Sequence, residues 1–357
     1  MSPIDWYRTL QQHQKRNLKR IKEGITPPYF SAPLGVQLEI TSKCNLTCVH
    51  CYNYSGKRKA TDGIKRIRKE LSDEEWLKLA GELASLNIFE CIISGGEPLL
   101  RKKLVFEIMD TLSKHGVFFL LISNGWLMDE KVAENLLKYR FHYVQISIDG
   151  ADAATHDSIR QRKGSWAKAV RAANFVKEAG LPLCIASTLM KQNWHQLSDL
   201  IDLAAAVGAH QIIVDRFMST GAAALNRNDL LLPDSWRKPY FETMLKKRGE
   251  YRGQMQILSS LDPVVQLRLD ITGPTKVALV RPNGDVKLDC ITPFVFGNIR
   301  QHPLKKIWEE NMNTGWQKPE IIQFVETITK DEDLVYNGSF PIPHLQKNID
   351  MANYPAG

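Results

Sequence analysis

With 357 residues, 43% of them hydrophobic and 24% charged, the chain can form one large domain or two ordinary ones, with the balance of a soluble globular protein. No apolar run reaches the ~18 residues of a membrane span, residues 1–14 lack a signal-peptide core, and six cysteines with three clustered make no secreted disulfide framework, which predicts a cytoplasmic protein without a membrane partner. The net charge of +8, with basic runs at 15–20, 57–59 and 65–69, reads as a solvated positive face or a landing site for an acidic peptide; no aromatics interleave these runs, so nucleic acid is not the expected partner.

Residues 1–30 are polar and basic and predict an amphipathic lead-in helix ending near Gly24, ahead of the Pro27-Pro28 break. Strand-like runs of β-branched or aromatic residues then recur at 36–41, 88–94, 117–123, 143–148, 183–189 and 211–217, with helical periodicity between them. The clearest helix covers 72–86. Ser72 and Glu75 form a capping box there, and Trp76, Leu79 or Ala80, Leu83 and Leu86 recur on one face. Further helices are expected over about 102–115, 129–139, 165–178 and 195–207, with Gly116, Gly180 and Gly208 where C-terminal caps belong. Six strands alternating with helices imply parallel units with right-handed crossovers, hence an α/β fold whose sheet curves into a partial (βα)6 TIM-like barrel. In such folds ligands bind at the C-terminal ends of the strands.

The alternation lapses near Leu232. A helix over 234–247 and a strand–turn–strand pattern over 277–288, turning at Asn283-Gly284, predict a smaller α+β C-terminal domain. The tail beyond Trp316, rich in Pro and polar residues, is expected to wrap or fray. The division that follows is a lead-in over 1–30, a barrel over 31–232, and a C-terminal domain with its tail over 233–357.

The chemistry-bearing stretch follows the first predicted strand. Cys44, Cys48 and Cys51 stand four and three residues apart, with His50 just before the last. Thiolates are the usual ligands of iron–sulfur clusters, and a cubane needs four ligands where this loop offers three. One iron then stays open for a small molecule. An electron-carrying cluster would want a fourth cysteine close by, and the next is Cys91. The other reading is a structural zinc site of Cys44, Cys48, Cys51 and His50, although vicinal His50 and Cys51 make awkward tetrahedral partners and no second ligand pair follows at finger spacing.

The next strand ends carry Ser94-Gly95-Gly96-Glu97-Pro98, Ser123-Asn124-Gly125 and Ser147-Ile148-Asp149-Gly150. Paired glycines let backbone approach a ligand, Glu97 can receive an ammonium, and Ser123 and Asn124 suit a ribose or a carboxylate. Each stretch would also serve as an ordinary turn. Asp215, in the sixth strand, is a substrate contact or half of a structural Asp–Arg pair. Cys91 and Cys184 read as core residues.

The C-x3-C-x2-C loop, followed one βα unit later by Gly-Gly-Glu-Pro, resembles the signature of the radical S-adenosylmethionine (SAM) superfamily. The segment from Ser147 to Gly150 with His156, Asp157 and Arg160 resembles its peptide-modifying branch. The resemblance covers about 36–217. It implies one [4Fe–4S] cluster on Cys44, Cys48 and Cys51, with SAM on the open iron, cleaved on reduction to a 5′-deoxyadenosyl radical that takes hydrogen from a substrate. It also implies SAM contacts: His50 near the adenine, Gly95, Gly96, Glu97 and Pro98 at the amino group, Ser123 and Asn124 at the ribose or carboxylate, Ser147 at the ribose, and Arg160 at the carboxylate. Arg162 is a substitute for Arg160, because Gln161 replaces the glycine usual after that arginine.

A second resemblance, through Pro282-Asn283-Gly284-Asp285-Val286, Cys290, Phe296-Gly297-Asn298-Ile299 and Ile307-Trp308, is to the SPASM (or shorter twitch) extension, which normally holds auxiliary iron–sulfur clusters. Only Cys290 of its cysteines remains, with Asp270 roughly where the first would stand, so one cluster is expected. Cys290 is then a relic packed in the small sheet or, as in the family's epimerases, a hydrogen-atom donor to the substrate radical. The implied function is radical modification of a ribosomally synthesised precursor peptide. The peptide would be recruited by a separate leader-peptide-binding protein or by the SPASM-like domain itself, and the other implied partner is an electron donor such as flavodoxin or ferredoxin. The alternatives are a radical epimerase or dehydrogenase acting on a small molecule such as a sugar or aminocyclitol and, outside enzymes, a structural zinc or iron–sulfur protein.

Overall fold

The computed structural model describes residues 3–53, 69–259, 262–328 and 349–351. The basic run 57–59 and nearly all of 65–69 lie outside the described residues. The lead-in is helix α1 (Pro3–Lys22), terminated as expected before Gly24, whose φ of +69° is a left-handed value that glycine adopts at least cost. It is tied down by Gln14 Nε2 donating to the Arg268 carbonyl at 2.8 Å and Asn17 Nδ2 to Thr272 Oγ1 at 3.2 Å. Its basic run is largely exposed, as a solvated face would be.

Strands β1 (Gly35–Glu39), β2 (Glu90–Ser94), β3 (Phe118–Ser123), β4 (Phe141–Ser147), β5 (Leu183–Leu189) and β6 (Gln211–Arg216) lie side by side and parallel. Between them run α2 (Asp73–Ser85), α3 (Lys102–Ser113), α4 (Glu130–Leu136), α5 (Ala153–Arg160), α6 (Ser165–Glu178) and α7 (Leu197–Ala206). The capping box at Ser72 is formed: Ser72 Oγ accepts from the Glu75 N–H and Glu75 Oε2 from the Ser72 N–H. Helix α5 is an addition to the periodicity reading, capped by Asp152 accepting from the Thr155 N–H.

After β6 come α8 (Gly221–Leu225), α9 (Arg227–Leu230) and α10 (Arg237–Glu250), then β7 (Gln256–Leu258), parallel to β6 and too short to register as a strand pattern. Helix α11 (Pro263–Asp270) leads to β8 (Val277–Val280), which pairs in parallel with β1, so the sheet grows at both edges. β8 turns through Gly284 (φ +89°) into antiparallel β9 (Asp285–Lys287), the expected hairpin. Short β10 (Phe294–Val295) and β11 (Gly297–Asn298) follow, with β11 against β9. The order β11-β9-β8-β1-β2-β3-β4-β5-β6-β7 joins no edge to the other: a curved, unclosed barrel.

Val36, Leu38 and Ile40 face outward under Trp76, Leu79 and Leu83 of α2, all buried in one apolar core that continues to Phe294, Phe296 and Trp308. Helix α12 (Leu304–Ile307) carries the chain into Trp308, whose indole N–H donates to the Phe30 carbonyl at 2.8 Å. Beyond Trp316 the expectation of a wrapping or fraying tail needs correcting. Helix α13 (Pro319–Thr327) buries Ile321 and Val325, because Pro319 stands at N1, where its missing N–H costs nothing. Residues 329–348 lie outside the described ones, and β12 (Ile349–Asp350) pairs in parallel with β10. No helix among the described residues is long and apolar enough to cross a membrane.

Candidate functional site

The loop carrying the three cysteines leaves the C-terminal end of β1. Its approach is set by Glu70, which accepts from Thr41 Oγ1 and the Ser42 N–H, both at 2.9 Å. Arg300 in turn donates to the Glu70 carbonyl at 2.9 Å and to Glu75. Further on, the Val49 N–H donates to the Ile159 carbonyl at 3.0 Å and Asn226 Nδ2 to the Val49 carbonyl at 2.8 Å. The first turn of α8 sits on the end of the loop: the Ala222 N–H donates to the Cys51 carbonyl at 2.7 Å, and a Cβ on Gly221 would meet the Tyr52 carbonyl oxygen at 2.2 Å. Arg162 stacks on the Trp126 ring at 3.6 Å and donates to the Asn45 carbonyl at 2.6 Å, which makes it a brace for the loop.

Burial pushes the Cys44 thiol up to about 11 and the Cys48 thiol up to about 12. The neighbouring thiols raise both further, and Arg160 opposes this. Two sulfurs already receive N–H groups: Cys44 Sγ from Leu46 at 3.4 Å and from Asn124 Nδ2 at 3.6 Å, Cys48 Sγ from Arg160 Nη1 at 3.8 Å. Such donors stabilise sulfur-borne negative charge. Among the described residues no group of three or more His, Cys, Asp or Glu side chains forms a metal-ion site as placed. Three thiols in one loop, two of them receiving N–H groups, are the donor chemistry of an iron–sulfur cluster.

At the end of β2, Gly95 and Gly96 are zipped to the cysteine loop. The Gly96 N–H donates to the Thr41 carbonyl at 2.6 Å and the Glu97 N–H to the Lys43 carbonyl at 2.9 Å. A Cβ on Gly95 would meet the Thr41 oxygen at 2.7 Å, and one on Gly96 the Lys43 oxygen at 2.1 Å. The glycines therefore admit backbone to backbone. Pro98 opens a 3-10 turn behind them. Glu97 is fully buried and pushed up to about 7 by that burial. Its Oε1 accepts from Ser123 Oγ at 2.9 Å and the Leu99 N–H at 3.1 Å, and its Oε2 from the Asn124 N–H at 2.9 Å. Asn124 continues to the cysteine loop, donating to Asn45 Oδ1 at 2.8 Å. Thus Ser123 and Asn124 are brought together with Glu97 and Cys44. Ser147, at the end of β4, is half-buried, and among the described residues its hydroxyl makes no hydrogen bond.

Asp149 organises the next corner. Its Oδ2 lies 2.6 Å from Arg160 Nε and 3.4 Å from His50 Nε2, and its Oδ1 accepts from the Thr188 N–H at 2.8 Å. Burial works against its charge, but Arg160, His50 and His156 hold the carboxyl below the usual range. His156 is pushed down to about 4 by burial and by Arg160, so it stays neutral, and its Nδ1 accepts from the Asp149 N–H. Arg160 is thereby fixed between a carboxylate and the Cys48 sulfur, and His50 is drawn to the same carboxylate. Asp149 carried no assigned role in the sequence reading. Its signals were its place at a strand end and within the Ser147–Gly150 segment that carries the resemblance.

The inner face of the curved sheet holds a second polar group that the sequence did not disclose. Glu39 of β1, fully buried, lies 3.0 Å from Arg281 Nη1 and accepts from Asn53 Nδ2 at 3.0 Å and the Tyr52 hydroxyl at 3.3 Å. Cys290, just past β9, keeps some residue surface open while its thiol is enclosed. Desolvation, then Asp289 and Glu39, push that thiol up to about 12, so it is an S–H at neutral pH. Asp215 lies on β6 near Tyr143 and Cys184, whose ionisation its charge opposes, whereas neighbouring Arg216 pairs with Asp262. Cys91 is fully buried in the core.

A profile of the Radical SAM superfamily matches residues 38–204, and one described as an iron–sulfur cluster-binding domain, SPASM, matches 272–327. The PqqA peptide cyclase of Granulibacter bethesdensis is 33% identical over 225 residues, 63% of this chain and 58% of that protein. The chain thus spans less than two thirds of that relative's length. The AdoMet-dependent heme synthase of Methanosarcina barkeri is 27% identical over 300 residues, 78% of this chain and 83% of that protein. SuiB of Streptococcus suis, in its crystal structure with the precursor peptide SuiA, has the same fold, with a TM-score of 0.64 at 13% identity over 84% of this chain and 69% of that one.

Proposed function

Since the chain belongs to the radical SAM superfamily, we propose that it cleaves SAM reductively and takes a hydrogen atom from a residue of a ribosomally synthesised precursor peptide. The observation that carries this is the loop of Cys44, Cys48 and Cys51 at the mouth of a parallel sheet, with N–H groups already aimed at two of its sulfurs. The relation to a PqqA peptide cyclase favours a peptide as substrate. When bound, a [4Fe–4S] cluster with SAM supplies the electron and the 5′-deoxyadenosyl radical. Cys44, Cys48 and Cys51 would hold the cluster. Gly95, Gly96, Glu97 and Pro98 would border the SAM amino group, Ser123, Asn124 and Ser147 its ribose and carboxylate side, and His50 its adenine.

In this reading Arg160 is held by Asp149 against the Cys48 sulfur, and its charge would be in place to receive the SAM carboxylate. Glu97, with both oxygens engaged, first locks Ser123 and Asn124 against the cysteine loop and offers an ammonium only its remaining lone pairs. The residues of the SPASM region do not fit an auxiliary cluster. Cys290 is its single cysteine, Asp289 Oδ1 is taken by the Ile291 and Thr292 N–H groups, and Asp270 accepts from Gln266 Nε2. One cluster is therefore proposed.

Cys290 is the proposed hydrogen-atom donor: a protonated thiol near Tyr52, which adjoins Cys51. Asp215 is proposed as a substrate contact. The barrel over 31–232, the SPASM-like domain over 233–357, a cytoplasmic setting, a leader-binding partner and a flavodoxin- or ferredoxin-type donor belong to the same reading. The relation to a heme synthase favours a second one, radical chemistry on a small molecule. Anaerobic reconstitution tests the proposal. The loaded protein should absorb broadly near ~400 nm and, once reduced, release 5′-deoxyadenosine from SAM. Bound zinc with no such absorption would overturn it.

A further inference from the structure

Lys287 is the buried charge that the reading above leaves unused. In the register of β1, β8 and β9, Gln37, Leu279 and Lys287 stand in one row. Gln37 of that row donates to Ser94 Oγ at the end of β2, and the residue one step further along the same face, Glu39, receives Tyr52 of the cysteine loop. The row therefore faces the inside of the curved sheet.

Lys287 is 4% exposed, yet among the described residues its ammonium makes no hydrogen bond and no ion pair. Of the nearest acids, Glu39 is engaged by Arg281, Asn53 and Tyr52, whereas Asp289, with Oδ1 taken by Thr292 and Ile291, keeps a buried Oδ2 without a hydrogen bond and attracts the Lys287 charge without contacting it. The contrast within the same chain is Lys247, 7% exposed, which is matched to Asp202 at 2.6 Å and Glu250 at 2.9 Å. A buried ammonium with no hydrogen-bonded partner, balanced only through space by Asp289, still costs free energy, and an apolar side chain would fill the same row without that cost. Burial and then Arg281 push Lys287 down to about 8, which still leaves it mainly charged at pH 7.

We propose that Lys287 anchors a carboxylate of the substrate on the inner face of the sheet, beside Cys290 and the cysteine loop. This rests on the reading that substrate enters there, and it narrows the substrate class to one with a carboxylate near the reacting carbon. A phosphate would call for several converging donors or a bidentate guanidinium. Here the only other cation of the group, Arg281, is already balanced by Glu39.

The test uses the reconstituted protein and three capped peptides: Ac-Gly-Glu-Gly-NH2, its Gln isostere, and Ac-Gly-Gly-Gly with a free C-terminus. Dissociation constants come from calorimetry or saturation-transfer NMR. At least one carboxylate peptide should bind about tenfold more tightly than the Gln peptide, as one charged hydrogen bond implies, and which one identifies a side-chain or terminal source. Lys287→Met should lose the preference and Lys287→Arg keep it. Equal binding of all three peptides, absence of binding included, overturns the proposal, as does a preference that survives in Lys287→Met. If Lys287→Met does not fold, Lys287→Gln takes its place. Release of 5′-deoxyadenosine by the unmutated protein is measured in parallel: its absence sinks the radical SAM reading, whereas its presence without carboxylate preference sinks only the role of Lys287.

Discussion

The contact between Gly96 and the cysteine loop allows a worked prediction. In Gly96→Ala the new Cβ would lie 2.1 Å from the Lys43 carbonyl oxygen and 2.5 Å from its carbon. Real contacts of this kind do not fall below 3.0 Å, so the backbone just before Cys44 must retreat by about 0.9 Å. Two hydrogen bonds span the same gap, Gly96 to Thr41 at 2.6 Å and Glu97 to Lys43 at 2.9 Å. Losing both costs roughly 2 kcal/mol, and overpacking adds about 1–3 kcal/mol. For a chain of this length the sum, about 3–5 kcal/mol, corresponds to a melting temperature lower by roughly 4–7 °C. The assay is circular dichroism melting together with iron content after anaerobic reconstitution and desalting, since the displaced residue adjoins the first thiol. The control is Gly81→Ala on α2, where nothing lies within 4 Å, and a gain of about 0.5–1 kcal/mol is expected. A Gly96→Ala protein that melts with the parent and keeps its iron would refute the reasoning.

Three further outcomes are expected. Asp149→Asn leaves Arg160, 8% exposed, without its counter-charge; stability should drop by about 3–5 kcal/mol, read by denaturant melts, and iron retention should fall with it. Cys290→Ala should block solvent-deuterium incorporation into product while SAM cleavage persists, and normal incorporation in mass spectra would remove the donor role. Lys287 has a folded pKa of about 8 below its ordinary 10.5, so the unfolded chain binds more protons between those values. Its penalty of about 3 kcal/mol is full below pH 8 and fades as pH rises toward 10.5. Lys287→Met should therefore melt above the parent at pH 7, with the gap narrowing by pH 10.

The strands and the cysteine loop were legible because each rests on local pattern. Leu183–Leu189 matches its apolar run residue for residue, and the Ser72–Glu75 capping box formed as read. What was not legible depends on contacts between distant segments. Glu70 braces the cysteine loop from the far side of residues 54–68, Gly221 admits the Tyr52 carbonyl from after β6, and Arg281 reaches Glu39 across β1 and β8. The tail beyond Trp316 was expected to wrap or fray for its Pro and polar content, yet Pro319 stands at a helix start, where proline is well placed. Residue roles shifted in the same way. Gly95 and Gly96 read as room for a ligand, and their first use is room for the cysteine loop itself. Arg162 read as a spare for Arg160, and it braces Asn45 from its place over Trp126. The identity of a motif survives in one dimension; the division of labour within it is decided by packing.

The central claim is that a cluster on Cys44, Cys48 and Cys51 leaves an iron for SAM, and electron–nuclear double resonance tests it most directly. The reconstituted, reduced protein should show hyperfine coupling to nitrogen when SAM carries 15N in its amino group, and Cys48→Ala should lose both cluster and coupling. A reduced cluster whose spectrum is unchanged by labelled SAM would contradict the account.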